Sequence, residues 1–121
     1  MYANFGEFIK DKRLRARLTV REFADRLEVS APYVTDVEKD RRNPFNKDTL
    51  EKIISILDLN EEEKTEMYDL AGDKRNEIAP DLPDYIMQHN YVSVALRTAR
   101  DLDAGEEDWQ RFVDELRKRK E

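Results

Sequence analysis

Apolar residues recur at helical spacing along almost the whole chain, and this pattern constrains the fold more than any other feature of the sequence. Phe5, Phe8 and Ile9 follow the i, i+3, i+4 spacing that places side chains on one buried stripe of a helix. No convincing strand pattern interrupts the stripes that follow. The sequence therefore predicts an all-α protein.

The next two helices are predicted to be short and joined by a tight turn. Thr19 is a predicted N-cap, and Glu22 three residues later completes a capping box. Ser30 is predicted to cap the following helix, whose first turn tolerates Pro32. The inward residues of the two helices are Val20, Phe23, Ala24, Leu27, Val34 and Val37. Two helices joined in this way form a helix-turn-helix, in which the second helix is placed for a DNA major groove.

Further helices are predicted after this unit. A fourth follows from Leu50, Ile53, Ile54 and Leu57, and a fifth starts at Asn60 and ends at Gly72. Residues 73–83 are polar with two prolines, which indicates a linker or bend. The sequence thus predicts a DNA-binding domain over 1–72 and a C-terminal helical extension over 84–121.

The extension ends in an apolar stripe from Trp109 to Leu116. A stripe of this kind must be buried against something. The sequence alone leaves open whether it packs within its own chain, across a dimer or on a partner protein. Residues 84–121 are therefore assigned to dimerisation or partner binding.

Composition excludes several classes of site. The 121 residues include no Cys and a single His, His89, so no thiolate or His-rich metal site is expected. No Gly-rich phosphate loop or Ser-based nucleophile setting is present, so we expect neither an enzyme nor a cofactor. Residues 1–9 include Asn4 and Glu7 and are not expected to act as a signal peptide, and the sequence has no apolar run of membrane-spanning length. We therefore expect a cytoplasmic protein with no membrane partner.

Charge is distributed unevenly along the chain. The net charge is −6, yet residues 1–59 hold 12 Lys or Arg and 11 Asp or Glu, a net of +1, while residues 60–121 hold 10 and 17, a net of −7. A local basic face binds phosphate even when the whole protein is acidic. The N-terminal half is therefore the half expected to meet DNA.

On the residues above, the chain resembles the Cro/C1-type (XRE) helix-turn-helix regulators over about residues 5–60. The matching segments are LTVREFADRLEVS, YVTDVEKDRRNP and TLEKIISILDL. The resemblance implies a five-helix, lambda-repressor-like DNA-binding bundle, here with additional C-terminal helices.

The resemblance also implies roles for individual residues. Those that match the family's base-reading positions are Ala31, Pro32, Tyr33, Thr35 and Asp36. Those that match its phosphate contacts are Thr19, Val20, Lys39, Arg41, Arg42 and Asn43. Arg13 and Glu38 match a family ion pair that ties the first helix to the third.

Four residues depart from the family pattern. Val20 replaces the usual Gln and has no side-chain donor, and Pro32 removes a donor at a reading position. Asp36 is expected to repel phosphate, but its carboxylate is able to accept a hydrogen bond from cytosine N4. Glu28 stands where the turn usually has Gly, so a left-handed conformation there is expected to cost about 1 kcal/mol.

These observations predict a sequence-specific transcription regulator, a repressor that binds double-stranded DNA as a homodimer and inserts the helix that begins near Ser30 into the major groove. The alternative is an antitoxin or mobile-element regulator whose main role is to bind a protein through the acidic C-terminal half.

Overall fold

The computed structural model describes residues 2–120, and every regular element in that part of the chain is a helix, as predicted. Met1 and Glu121, the outer ends of the predicted segments 1–72 and 84–121, lie outside the described residues. The helices of residues 2–120 are α1 (Phe5–Arg15), α2 (Val20–Leu27), α3 (Ala31–Glu38), α4 (Lys47–Ile56), α5 (Glu61–Arg75), α6 (Pro83–Gln88), α7 (Asn90–Asp101) and α8 (Glu106–Lys118).

Two capping boxes begin helices where the sequence predicted them. At the start of α2 the Thr19 hydroxyl accepts the Glu22 backbone N–H at 3.1 Å, and Glu22 Oε1 accepts the Thr19 N–H at 2.9 Å. Asn60 and Glu63 make the same reciprocal pair at the start of α5, at 2.8 and 2.9 Å. Because each box satisfies two backbone donors that would otherwise lack partners, it fixes the residue at which its helix begins.

The described residues divide into two compact units, of which the first ends at Pro83. Its core lies where α1 packs on α3 and α5 while α2 packs on α3 and α4. The largest side chains that are almost completely buried there are Phe5, Phe8, Ile9, Phe23, Leu27, Leu50, Ile53 and Met67. The residues predicted to face inward from α2 and α3 therefore form one core with those of α1, α4 and α5.

Gly6 lets α1 approach the end of α3. A Cβ atom at this position would lie 2.5 Å from the carbonyl oxygens of both Val37 and Glu38, which is too close for any real contact. The two backbones consequently meet without a side chain between them.

The prediction that α5 ends at Gly72 was wrong. The helix continues to Arg75, and Asn76 takes the left-handed conformation that ends it, at φ 56°. Gly72 serves packing instead, because a Cβ there would lie 2.8 Å from the Glu77 carbonyl oxygen and 3.0 Å from the Ala79 nitrogen. The glycine lets the chain after α5 fold back onto the helix.

Residues with polar side chains, and not glycines, take the left-handed positions after helices. Within residues 2–120 these are Arg17, Glu28, Asp40, Asp58, Asn76 and Asp103. With only three glycines in the chain, helix ends carry a weak signal in the sequence.

The second unit begins at Asp84 and includes most of α6 with α7 and α8. None of residues 84–120 is buried. Trp109, Phe112 and Leu116, which lie on one stripe of α8, are 40%, 52% and 43% exposed. No helix among the described residues is both long enough and apolar enough to cross a membrane.

Candidate nucleic-acid interface

The turn between α2 and α3 is a Schellman motif built on Glu28. The Glu28 N–H donates to the Asp25 carbonyl at 3.2 Å, and the Val29 N–H donates to the Ala24 carbonyl at 3.0 Å. Glu28 itself is left-handed, with φ 61° and ψ 39°. A residue with a Cβ thus occupies a position that favours glycine, and the turn sets the direction in which α3 leaves α2.

α3 begins one residue after its cap and has a clear inward side. The Ser30 hydroxyl accepts the Tyr33 backbone N–H at 3.2 Å. Val34 and Val37 are 0% and 1% exposed and face the core. At about 100° per residue, the opposite side of the helix carries Pro32, Thr35, Asp36 and Lys39.

Among the residues matched to base reading, Pro32 is exposed, whereas Thr35 and Asp36 are partly exposed on this outward side. Ala31 and Tyr33 lie on its flanks, and both contact the core. Thr35 and Asp36 are therefore the reading candidates whose side chains have polar groups on the outward side.

Tyr33 has a structural role as well. Its ring stacks on Phe45, with centroids 5.4 Å apart and ring planes 25° apart. The Arg42 guanidinium carbon lies over the Tyr33 ring, 4.5 Å from the centroid. A cation held over an aromatic face in this way is attracted by the ring quadrupole, so Tyr33 positions Arg42 beside α3.

A second Schellman motif ends α3 and directs the basic loop. The left-handed Asp40 donates its N–H to the Val37 carbonyl at 3.0 Å, and the Arg41 N–H reaches the Asp36 carbonyl at 2.8 Å. Phe45 is 2% exposed and anchors the far side of the loop in the core. Lys39, Arg41, Arg42 and Asn43 are all exposed at this end of the helix.

Arg13 and Glu38 join α1 to α3 by a two-point ion pair. Arg13 Nε donates to Glu38 Oε2 at 2.7 Å, and its NH2 group donates to Oε1 at 3.0 Å. A further bond from NH1 to the Leu18 carbonyl, at 2.8 Å, uses the rest of the guanidinium. Since both side chains are less than a tenth exposed, the pair holds α3 against α1 and does not face a ligand.

The start of α2 is less suited to phosphate binding than the resemblance implies. The Val20 side chain packs against the core, which leaves its backbone N–H as the group able to bind phosphate. The Thr19 hydroxyl accepts from Glu22, yet it retains its own hydrogen to donate. The Thr19 backbone N–H, followed by its side chain, lowers the pKa of the Glu22 carboxyl. A carboxylate therefore stands at this helix start and opposes an approaching phosphate.

A polar cleft lies beside the loop. It has a volume of about 450 Å³ and is lined by Tyr33, Arg41, Arg42, Asn43, Pro44, Lys74 and Arg75. It brings together Tyr33 and three of the residues matched to phosphate contacts. Sequence reasoning did not include Lys74 and Arg75, because it ended α5 at Gly72 and placed both residues in a linker.

The two short helices, their turn and the outward side of α3 define a helix-turn-helix domain, a class of DNA-binding unit. Residues 4–67 match a family model described as a helix-turn-helix domain. The match covers more than half of the 121 residues, and the chain belongs to this family. This agrees with the resemblance to the Cro/C1-type regulators. Comparisons with curated proteins and with solved structures found no match.

Proposed function

We propose that this protein is a cytoplasmic, sequence-specific transcription regulator that inserts α3 into the major groove of double-stranded DNA. The observation that carries the proposal is the outward side of α3, where Pro32, Thr35 and Asp36 are accessible beside the exposed cations of the loop. Phosphate contacts position such a helix, and contacts to base edges give it sequence preference. A small protein that occupies a DNA site blocks access to it, and for this reason we propose a repressor.

Selection from a random duplex library tests the proposal, with affinity for the enriched sequence then measured by fluorescence anisotropy at several salt concentrations. The wild type is expected to enrich one sequence and to lose affinity steeply with salt. T35A and D36A should change which sequence is preferred. R41A/R42A should weaken binding to all duplexes alike.

The exposed Thr65 on α5 supplies the matched control, since T65A removes a similar side chain outside α3. This variant should keep both the preference and the affinity of the wild type. If the wild type enriches no sequence and its binding does not respond to salt, the proposal is overturned.

We further propose that α8 pairs two copies of the chain. Trp109, Phe112 and Leu116 are each at least 40% exposed, and burying such a stripe is favourable. The first turn of α8 is acidic, and its last turn is basic. An antiparallel pair of these helices places the acidic start of each against the basic end of the other. A dimer with two-fold symmetry would present two α3 helices to half-sites about 34 Å apart.

Sedimentation velocity at several concentrations tests the pairing. The wild type is expected to sediment as a dimer and F112E as a monomer. Q110E adds the same charge on the opposite side of α8 and should remain dimeric. A wild type that stays monomeric at every concentration contradicts the dimer.

The distribution of charge argues against the alternative, in which the chain mainly binds another protein. The acidic excess that suggested it lies chiefly in residues 60–83, with eight Asp or Glu and three Lys or Arg, a net of −5. Residues 84–121 hold nine and seven, a net of only −2. The helices with the exposed apolar stripe are therefore nearly balanced in charge, which favours pairing with a second copy.

A further inference from the structure

The cleft beside α3 is built from two segments far apart in the sequence. Arg41, Arg42 and Asn43 come from the loop after α3, whereas Lys74 and Arg75 come from the last turn of α5. Tyr33 of α3 also lines it, so the cleft is continuous with the helix proposed to read DNA.

The α5 cations are held in place by the loop. Lys74 Nζ lies 3.0 Å from Asp40 Oδ1 and donates to the Asp40 carbonyl oxygen at 3.3 Å. Arg75 donates through NH2 to the Pro44 carbonyl oxygen. The Lys74 side chain is 28% exposed. Because both cations are already positioned, little side-chain freedom remains to be lost when an anion binds.

The charges of the cleft favour an anion. Four cations line it, and two carboxylates approach them, Asp40 at Lys74 and Asp36 at 3.9 Å from Arg41, which leaves an excess of two positive charges. Arg42 has no carboxylate partner within residues 2–120, and its guanidinium lies over Tyr33. A guanidinium that is not paired with an acid keeps donors available for phosphate oxygens.

We propose that this cleft binds a phosphate of the DNA backbone, so that Lys74 and Arg75 extend the DNA contact beyond the helix-turn-helix to the end of α5. This inference rests on the proposed DNA-binding function and adds a contact that the two helices do not supply. The cleft borders α3 through Tyr33 and the loop through Arg41 and Arg42, so a duplex seated on α3 would carry its backbone past it.

The salt dependence of DNA affinity tests the inference. K74Q and the double variant K74Q/R75Q are compared with K64Q, which removes a cation from the same helix about 15 Å nearer its start. Because Lys74 and Arg75 are proposed to bind one phosphate between them, removal of both should reduce the slope of log affinity against log salt by about one. Between 50 and 500 mM salt, the wild type should therefore lose about tenfold more affinity than the double variant, while K64Q should match the wild type.

Loss of the Arg75–Pro44 bond could itself disturb the loop, so R75K is measured as well, together with the thermal unfolding of every variant. R75K keeps the charge and should retain most of the wild-type slope. If K74Q and K74Q/R75Q keep the wild-type slope, the inference is wrong although the DNA-binding function stands. If the wild type binds no duplex, the proposed function fails and the inference fails with it.

Inorganic phosphate and a mononucleotide distinguish a backbone phosphate from a free ligand. Neither should raise the unfolding temperature of the wild type more than that of K74Q/R75Q if the site serves DNA alone. Stabilisation of the wild type only, with an unchanged slope for DNA in the double variant, would assign the cleft to a free phosphorylated ligand and overturn the inference.

Discussion

The two units of this chain use the same amphipathic helix pattern with opposite results. In the first, Phe23 is 0% exposed and lies in a core shared by five helices. In the second, Phe112 holds an equivalent place on the apolar stripe of α8 but remains 52% exposed. The pattern thus predicts which side of a helix is apolar and does not predict what covers it. The first unit buries its own apolar side chains, whereas the apolar stripe of α8 would need a further surface in order to be buried.

The largest expected effect separates the two phenylalanines. F23A should destabilise the protein by about 3–5 kcal/mol, because it leaves a cavity in a closed core. F112A should change the free energy of unfolding by about 0.5 kcal/mol or less when the protein is dilute enough to be monomeric. Urea unfolding followed by circular dichroism measures both. Equal losses in the two variants would show that α8 is covered within its own chain.

The next effect compares two ion pairs on α1. R13L removes one partner of the buried pair and should cost about 3 kcal/mol, because Glu38 is left without compensation. R15L removes the exposed pair with Asp11, whose atoms lie 3.3 Å apart, and should cost at most about 1 kcal/mol. The same unfolding assay applies. A comparable small loss for both variants would mean that the Arg13–Glu38 pair does not hold α3 in place.

A smaller effect, of opposite sign, is expected at the turn between α2 and α3. E28G should stabilise the protein by about 1 kcal/mol, since glycine takes the left-handed conformation without steric cost. E28A serves as the control because it removes the contact with Lys52, 3.8 Å away, but keeps the Cβ. No gain for E28G over E28A would show that the backbone at this position carries little strain.

Helix starts and buried sides could be predicted because their causes are local. The capping box of Thr19 with Glu22 and the inward valines of α3 depend on residues within one or two turns. Helix starts and buried sides can therefore be recognised from the spacing of residue types along the sequence.

Helix ends and the cleft depend on contacts that are distant in sequence. Asn76 and not Gly72 ends α5, because Gly72 is needed where Glu77 and Ala79 pack on the helix. The stacking of Tyr33 on Phe45 and the approach of Lys74 to Asp40 join segments 12 and 34 residues apart. No periodicity reveals such contacts, so the assignments of Tyr33 to base reading and of residues 73–83 to a linker took no account of them.

Gly6 gives α3 a property that matters for the proposed complex. The backbone at the C-terminal end of α3 packs directly on the α1 backbone at Gly6, and the ion pair between Arg13 and Glu38 joins the same two helices. With both contacts in place, α3 has little freedom to shift toward a DNA groove that fits it poorly. The duplex would then have to supply the adjustment, and sequences that bend or narrow easily would be favoured even at base pairs that no side chain touches.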